Sequence, residues 1–322
     1  MDKLLCCDWG TSSLRLRLAN AADASVIASV NTSQGIATTF RLWQDTSYDR
    51  VGFYLNIIDA LIKQIENKLS VSLDAVPVVI SGMASASIGM MELPYSTLPF
   101  AVDGSDAVTH YMHAGSYFNH PVLLISGVKS SDDVMRGEET QLVGCMQLLS
   151  EQPGEQCIIF PGTHSKHITV SNQQVVAIKT YMTGEFFELL SNQSILRLAV
   201  EKHSDIQSGS FNSHFSAGVA EGVAGNLLNT AFRIRTSELL GKRTKQENYS
   251  YLSGLVTGSE LKALQHEIFS RITVCGEGGL SALYETALNL LHLPATINVL
   301  PADKASEAVL RGQINIFNQF KP

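Results

Sequence analysis

The chain has 322 residues, of which 45% are hydrophobic and 16% are charged, and its formal net charge is −7. This length predicts two globular domains with enough apolar material for two cores. The acidic balance argues against a general binder of nucleic acid or of anionic membranes, although backbone amides can still hold a phosphate locally.

In chain order, the first predicted elements are a buried strand at Leu4–Asp8, a tight polar turn, and a strand at Leu14–Leu18 whose leucines alternate. Apolar residues at helical spacing predict a helix over Tyr48–Leu69. The β-branched run Val76–Ile80 predicts a central strand that ends at Gly82, and ligands bind at such strand ends in open α/β sheets. A strand at 122–126 and a helix at 138–149 follow.

The break at Gln152-Pro153-Gly154 predicts a domain boundary, with domains at residues 1–150 and 151–322. We expect the last helix to pack back on the first domain. The second half reads as strands, helices and one Ser-rich loop: strands at 157–160, 167–170, 175–179, 272–275 and 296–300; helices at 182–200, 217–240, 245–265, 280–291 and 306–317; the loop at 204–216.

The two halves share a local pattern of strand, x-Gly-Thr-x-Ser turn and alternating strand. It begins at Cys6 in the first half and at Ile158 in the second. Glycine lets the backbone approach a ligand closely, and its neighbours can direct N–H groups into an anion-binding nest. Asp8, at the end of the first strand, could hold Mg²⁺ directly or through water. The pair of turns therefore indicates a nucleotide phosphate site, while an ordinary hairpin explains either turn alone.

The densest polar cluster before a helix is Asp132–Gln141. Phosphoryl transfer to a hydroxyl needs a carboxylate within hydrogen-bond reach of that hydroxyl. Glu138 and Asp133 are the candidates, although a simple cap or loop residue is the better explanation for Asp133. The helix dipole also accounts for glutamates in a first turn, and it is the better explanation for Glu139. Gly276-Glu277-Gly278 could hold an adenosine or be a plain strand–helix turn, and Thr183 could simply cap a helix.

Other chemistries have little support in the sequence. There is no Walker A loop, no second His after His266-Glu267 at metalloprotease spacing, and no G-x-S-x-G elbow. His164 and His167 lie on one strand, where ordinary strand positions explain them better than a metal site. The five cysteines form no C-x-x-C pair, no apolar run approaches the ~18 residues of a membrane span, and no signal peptide is evident. We expect a soluble cytoplasmic protein.

Several long strings resemble the 2-dehydro-3-deoxygalactonokinases, also called 2-oxo-3-deoxygalactonate kinases. They run in order along nearly the whole chain: Asp8–Arg15, Gly82-Met83, Pro94-Tyr95, Asp133–Gly144, Pro161–Lys166, Thr180, Met182–Glu185, Ser194–Leu196 and Leu252–Glu260. The strings Met-Arg-Gly-Glu-Glu-Thr-Gln and Pro-Gly-Thr-His-Ser-Lys are the most specific.

The family resembles a branch of the actin, hexokinase and Hsp70 ATPase superfamily. That resemblance implies an α/β fold of two ribonuclease-H-like (actin-like ATPase) domains, with the nucleotide in the interdomain cleft. It implies ATP and Mg²⁺ as cofactors and Glu138 as the catalytic base, with Asp133 second. The implied ATP-binding residues are Asp8 (also the metal ligand), Gly10, Thr11, Ser12, Ser13, Gly162, Thr163, His164, Lys166, Gly276, Glu277 and Gly278. The implied substrate residues are Gly82, Met83, Ser85, Ser87, Tyr95, Arg136, Thr183 and Glu185.

One segment departs from the family pattern. After Gly-Met the family usually has an Asn or Arg and then a Trp, both plausible substrate contacts, where this chain has Ser87 and Met90. Near the C-terminus a family Gly-Asp pair is replaced by Ala302-Asp303. The predicted phosphate-binding motifs are intact, so this difference from the family pattern concerns the site for the acceptor substrate.

The sequence therefore predicts MgATP-dependent phosphorylation of a small 2-keto-3-deoxy sugar acid, by default 2-dehydro-3-deoxy-D-galactonate. We expect the sugar acid and ATP as partners, no nucleic acid and no membrane, and leave a homodimer open. Three alternatives remain: a kinase for another sugar acid, a non-catalytic sugar-acid sensor, and an ATPase that switches partners. The short chain, without an added peptide-binding domain, disfavours the ATPase.

Overall fold

The structure is a computed structural model, and it describes residues 2–150, 153–202, 209–276 and 278–320. The chain forms two compact units. The first unit contains residues 1–151, 173–178 and 303–322, and the second contains residues 152–172 and 179–302.

The first unit takes most of its elements from the first half of the chain. Its strands are β1 (Lys3–Trp9), β2 (Leu14–Asn20), β3 (Val26–Thr32), β4 (Val78–Gly82), β5 (Ser96–Thr97), β6 (Phe100–Ala101), β7 (Thr109–Met112), β8 (Val122–Ile125), β9 (Val128–Lys129) and β10 (Val134–Met135). Its helices in this half are α1 (Ile36–Gln44), α2 (Arg50–Leu69) and α3 (Glu138–Leu148). A single 3₁₀ turn, Met83–Ser85, follows β4.

The main sheet of the first unit has the order β3-β2-β1-β4-β8-β7. Strands β1 to β3 form an antiparallel meander, and β4 and β8 run parallel to β1. Apolar residues of α2 at helical spacing, including Tyr54, Ile58 and Ile62, pack with β1 and β2 residues in one core cluster. The buried strands therefore end in ordered turns at a fixed edge of the sheet.

The second unit begins with β11 (Gln156–Phe160), β12 (Ser165–Ser171) and the last residues of β13 (Gln174–Tyr181). The first residues of β13, Gln174 and Val175, pair instead with β6 in the first unit. The remaining elements are α4 (Thr183–Asn192), α5 (Gly209–Ala224), α6 (Leu227–Leu239), α7 (Lys245–Leu261), β14 (Arg271–Val274), α8 (Leu280–Leu290) and β15 (Thr296–Val299). The last helix, α9 (Ala302–Gln319), lies almost wholly in the first unit.

The sheet of the second unit has the order β13-β12-β11-β14-β15. As in the first unit, the first strand is central, pairs antiparallel with the second strand, and pairs parallel with the first crossover strand. Each unit thus repeats the third-second-first-fourth-fifth order, with helices packed on the sheet. This duplicated α/β architecture agrees with the fold class predicted from the sequence.

Glycines allow α5 and α7 to pack with their backbones in close contact. A Cβ added at Gly254 would lie 1.9 Å from the Phe215 carbonyl oxygen, and one at Gly258 would lie 2.3 Å from that of Val219. Any larger residue would push the helices apart, so the small residues set the interhelical distance. This packing fixes the C-terminal end of α7, which enters the site described below.

The main difference from the predicted elements lies in the Ser-rich segment 204–216. Residues 209–216 belong to α5 rather than to a loop, whereas 203–208 lie outside the described residues. The prediction failed because Phe211 and Phe215 pack in the core of the second unit, and tertiary packing overrides the low helix propensity of serine. The sequence reading also missed β3 and α1.

Candidate active site

The first glycine-threonine turn connects β1 to β2 and is held by the start of α1. The N–H of Gly10 donates to the Ser13 carbonyl at 2.9 Å, which closes the turn. The N–H groups of Ile36 and Ala37 donate to the carbonyls of Gly10 and Thr11 at 3.0 and 3.1 Å. The backbone of this turn is therefore fixed from behind, while residues 11–13 are exposed to solvent.

The end of β4 lies directly beside the first turn. Asp8 is opposite Ser81 in the parallel ladder, and Trp9 is opposite Gly82. Gly82 has φ of 90°, and a Cβ there would lie 2.7 Å from the Trp9 carbonyl oxygen. Only glycine satisfies both constraints, so this strand end brings residues 82–85 next to Asp8.

Arg136 connects this strand end to the segment before α3. Its Nη1 donates to both the carbonyl and the hydroxyl of Ser85 at 2.6 Å. Its guanidinium lies over the ring of Tyr95, 4.1 Å from the centroid, in a cation–π contact. The predicted substrate residues Ser85, Tyr95 and Arg136 thus form one contact group. Met83, two residues before Ser85, is half-buried.

The two glutamates that open α3 have different environments. Glu138 Oε2 accepts a hydrogen bond from the backbone N–H of Arg136 at 3.0 Å, and Glu138 is partly exposed. Glu139 is fully buried, and its carboxylate accepts from the Gly137 N–H at 2.6 Å and the Thr140 hydroxyl at 2.9 Å. Burial, and then the charge of Glu138, raise the pKa of Glu139 to about 7. Glu138 is therefore the more exposed of the two carboxylates, and Glu139 holds the turn that precedes it.

Gly137, between Arg136 and Glu138, has φ of 108°, and a Cβ on it would lie 3.4 Å from the Gly82 Cα. This contact brings the start of α3 against the end of β4. The first unit thus collects the predicted first-turn residues 8–13, Gly82, Met83, Ser85, Tyr95, Arg136 and Glu138 in one neighbourhood.

Asp133 is hydrogen-bonded within its own loop. It belongs to the loop between β9 and β10, where its N–H donates to the Ser130 hydroxyl and its carboxylate accepts the Val134 N–H at 2.7 Å. It lines a groove of about 830 Å³ together with Lys129 and Asp132. Its hydrogen bonds are those of a structural loop residue.

The segment that departs from the family pattern is anchored by α2. Arg50 donates to the carbonyls of Ser87 and Gly89, and the Tyr54 hydroxyl donates to the Ile88 carbonyl at 2.7 Å. The Ser87 side chain is exposed, which leaves it accessible to a ligand. Met90, in contrast, is 1% exposed and packs in the core of the first unit. In this chain Met90 fills the core, so the expectation that this position contacts substrate does not fit its burial.

The second glycine-threonine turn connects β11 to β12 and is held in the same manner by the start of α4. The Glu185 N–H donates to the Thr163 carbonyl at 3.0 Å. A Cβ on Gly184 would lie 2.6 Å from the Gly162 carbonyl oxygen. In the first unit, Gly35 has the equivalent role, since its Cβ would lie 2.3 Å from the Thr11 carbonyl oxygen. The sequence echo therefore extends to the helix that supports each turn.

The side chains of His164 and Lys166 at the second turn make local polar contacts. His164 Nε2 lies 2.6 Å from Glu185 Oε2 at the surface, and Lys166 Nζ donates to the His164 carbonyl at 3.2 Å. Lys166 is only 5% exposed. The lysine therefore braces the turn. Thr183 and Glu185, predicted as substrate residues, lie at this second turn rather than among residues 82–95.

The predicted adenosine loop also lies against the second turn. A Cβ on Gly276 would lie 3.4 Å from Pro161 Cδ and 2.7 Å from Ser281 Oγ. Gly278 is exposed, with φ of 67°, a conformation that favours glycine. Glu277 lies outside the described residues.

A buried glutamate that the sequence analysis gave no role lies beneath the second turn. Glu260, near the end of α7, accepts hydrogen bonds from Ser165, His167, Thr183 and Tyr284. Burial is the largest effect and opposes ionisation, but these hydrogen bonds and the charge of His167 outweigh it and lower the pKa of Glu260. The only signal in the sequence was its place in the string 252–260, because the donors come from distant parts of the chain.

Within the part of the chain that the structure describes, no helix is both long and apolar enough to cross a membrane. In the same residues, no three His, Cys, Asp or Glu side chains come together as a metal-binding group.

The duplicated strand order and the two supported glycine-threonine turns define the chain as a two-unit α/β protein. The family model described as 2-keto-3-deoxy-galactonokinase matches residues 8–315. The chain belongs to the 2-keto-3-deoxy-galactonokinase family, which confirms the kinase class and the family predicted from the sequence.

Individual relatives agree with this assignment. A Rhizobium meliloti (strain 1021) protein named "Probable 2-dehydro-3-deoxygalactonokinase DgoK1" is 31% identical over 314 residues, with 94% of each chain covered. The 2-dehydro-3-deoxygalactonokinase of Escherichia coli (strain K12) is 29% identical over 244 residues, covering 73% of this chain and 77% of the relative. A crystal structure from Sinorhizobium meliloti under the same enzyme name has a TM-score of 0.76 and 28% identity, covering 96% of this chain and 95% of the other.

Proposed function

We propose that the protein transfers the γ-phosphoryl group of ATP to the terminal hydroxyl of a 2-keto-3-deoxy sugar acid. The default acceptor is 2-dehydro-3-deoxy-D-galactonate, and the product is its 6-phosphate. The observation that carries the proposal is the family match over residues 8–315, together with a partly exposed Glu138 beside the strand end that adjoins Asp8.

In this proposal the glycine-threonine turns bind the phosphate groups of ATP. Backbone N–H groups and the hydroxyls of Thr11, Ser12 and Ser13 suit an anion, since the turn residues are exposed while their backbone is fixed. In the second unit, Gly162 and Thr163 bind phosphate, with His164 and Lys166 supporting them. Residues 276–278 contact the adenosine.

Glu138 acts as the general base. Its carboxylate accepts the proton of the terminal sugar hydroxyl as the hydroxyl oxygen attacks the γ-phosphorus in line, and the bond to the β,γ-bridging oxygen breaks to release ADP. The Arg136 N–H, which donates to Glu138 at 3.0 Å, keeps that carboxylate oriented. The base therefore starts the reaction already positioned.

Mg²⁺ is the metal ion we propose, held by Asp8 directly or through water. The donor set fits this ion, because Mg²⁺ typically takes one or two carboxylates, several waters and the phosphates of its nucleotide. When bound, the ion neutralises charge on the phosphates.

Arg136 supplies positive charge to the acceptor site, where an acid substrate needs it. Its guanidinium is already oriented by Ser85 and by the Tyr95 ring, so little side-chain entropy is lost on binding. Gly82, Met83 and Ser87 complete this part of the proposed site. Thr183 and Glu185 lie at the second turn, and we assign them to the support of that turn.

The proposal is tested by coupled ADP release over a panel of 2-keto-3-deoxy sugar acids. We expect ADP only when an acceptor is present, and Glu138→Gln to lower kcat by at least about 10²-fold while ATP still binds. Asp133→Asn is the matched control, because Asp133 is held in a separate loop. Near-normal turnover of Glu138→Gln would rule out Glu138 as the base.

The same panel separates the alternatives. Turnover with a different sugar acid would mean that the exposed Ser87 has changed the acceptor. ADP release without any acceptor would indicate an ATPase. Binding of a sugar acid without ADP release would indicate a sensor.

A further inference from the structure

Glu260 uses both of its carboxylate oxygens inside the second unit. Its Oε1 accepts from Ser165 Oγ at 2.7 Å and from His167 Nε2 at 2.8 Å. Its Oε2 accepts from the Tyr284 hydroxyl at 2.6 Å and from the Thr183 hydroxyl. The residue is 3% exposed. A buried carboxylate is costly unless it is fully hydrogen-bonded, and here four donors surround it.

Three of the four donors come from segments that surround the second turn. Ser165 directly follows the turn in the chain. Thr183 is the first residue of α4, whose next two residues contact the turn backbone. Tyr284 lies on α8, one helical turn after Ser281, which touches the Gly276 loop. A single carboxylate thus joins the turn, the helix that supports it and the helix after the adenosine loop.

The carboxylate is itself fixed in place. It lies near the end of α7, and the backbone contacts of Gly254 and Gly258 with α5 hold that helix. The Tyr181 ring, 4.6 Å from the His167 ring, covers the histidine that donates to Glu260. The hydrogen-bonded group therefore has a rigid base, which a positioning role requires.

We propose that Glu260 is a positioning residue of the nucleotide site. It holds the second turn, the start of α4 and α8 in the one arrangement that binds the phosphates of ATP, and it does so without touching the nucleotide. This inference rests on the proposed kinase function. Its physical basis is that no neutral residue of the same size accepts four hydrogen bonds, so any substitution leaves donors unpaired and the three segments free to separate.

The test is Glu260→Gln in the full chain, with ATP affinity measured by calorimetry and steady-state kinetics measured for both substrates. The amide keeps the shape but directs an NH₂ group at two of the four donors. We expect ATP to bind at least about tenfold more weakly, while KM for the sugar acid changes by less than about twofold, because the proposed acceptor residues Ser85, Tyr95 and Arg136 lie in the first unit.

Glu267→Gln is the matched control, since it makes the same substitution in the same unit. Glu267 forms a surface ion pair with Lys179 at 2.6 Å, and exposed pairs of this kind contribute little. We expect its ATP affinity to equal that of the wild type. A folded Glu260→Gln with wild-type ATP affinity would overturn the inference.

Tyr284→Phe keeps the test decisive if Glu260→Gln does not fold. It removes one donor and leaves the other three hydrogen bonds of Glu260, so we expect a folded protein with ATP binding weakened by about threefold. Unchanged affinity in that variant would equally refute the inference. Failure of the wild type to release ADP with any acceptor would instead refute the proposed function, so the two failures are distinct.

Discussion

Gly35 is the residue whose enlargement should most directly disturb the first phosphate turn. It caps the N-terminus of α1, with φ of −73°, which alanine adopts without strain. A Cβ at this position would lie 2.3 Å from the Thr11 carbonyl oxygen and 2.5 Å from the Ser12 Cα. The obstacle is the backbone of the turn, so no side-chain rotation can relieve the clash.

The size of the effect follows from that distance. Comfortable contacts of this kind are near 3.5 Å, so the turn in Gly35→Ala must move by about 1 Å relative to α1. A displacement of that order at a reacting centre can lower the rate by about 10²-fold. Alanine also restricts the conformations of the unfolded chain, and this stabilises the folded protein by only ~0.4–1 kcal/mol. Overpacking, in contrast, destabilises the folded protein by about 1–3 kcal/mol. The clash should therefore dominate.

The assay is kcat/KM for ATP in the coupled ADP-release reaction, with thermal unfolding measured in parallel. We expect Gly35→Ala to lose about 10²-fold in kcat/KM and to melt several degrees lower. Gly115→Ala is the control, because nothing lies within 4 Å of a Cβ at that position. Wild-type activity in a folded Gly35→Ala would show that the turn does not depend on its contact with α1, and would refute the reasoning.

Two further predictions concern residues near the acceptor site. The pKa of Glu139 is raised from 4.5 to about 7, so between these pH values the folded state binds more protons than the unfolded state. The free energy of unfolding should therefore fall as the pH rises from 4.5 to 7, by about 3 kcal/mol from this group. Glu139→Gln should remove that dependence in denaturant titrations at pH 5 and pH 8, and an unchanged difference between the two pH values would contradict the assignment. Tyr54→Phe deletes the hydroxyl that donates to the Ile88 carbonyl at 2.7 Å, and it should lower the free energy of unfolding by about 1 kcal/mol. It should also raise KM for the sugar acid more than KM for ATP. The opposite pattern of KM values would show that the loop around Ile88 does not contribute to acceptor binding.

The sequence determined the local elements and the family. The helix predicted over Tyr48–Leu69 is α2 (Arg50–Leu69), because the spacing of its apolar residues requires one buried face. The glycine-threonine turns were evident because glycine, threonine and serine recur after a buried strand in each half. Both depend on residues close together in the chain, which is why a single sequence reveals them.

The tertiary structure alone decided which distant residues meet. Glu260 lies 95 residues from Ser165 and 77 from Thr183 along the chain, and no periodicity links them. Likewise, Asp133 and Glu138 are five positions apart in sequence, yet Asp133 lies in the loop between β9 and β10, whereas Glu138 is the first residue of α3. Sequence patterns record which face of an element is buried. The partners of a polar side chain depend instead on how elements pack, and that packing brought four donors to one buried carboxylate.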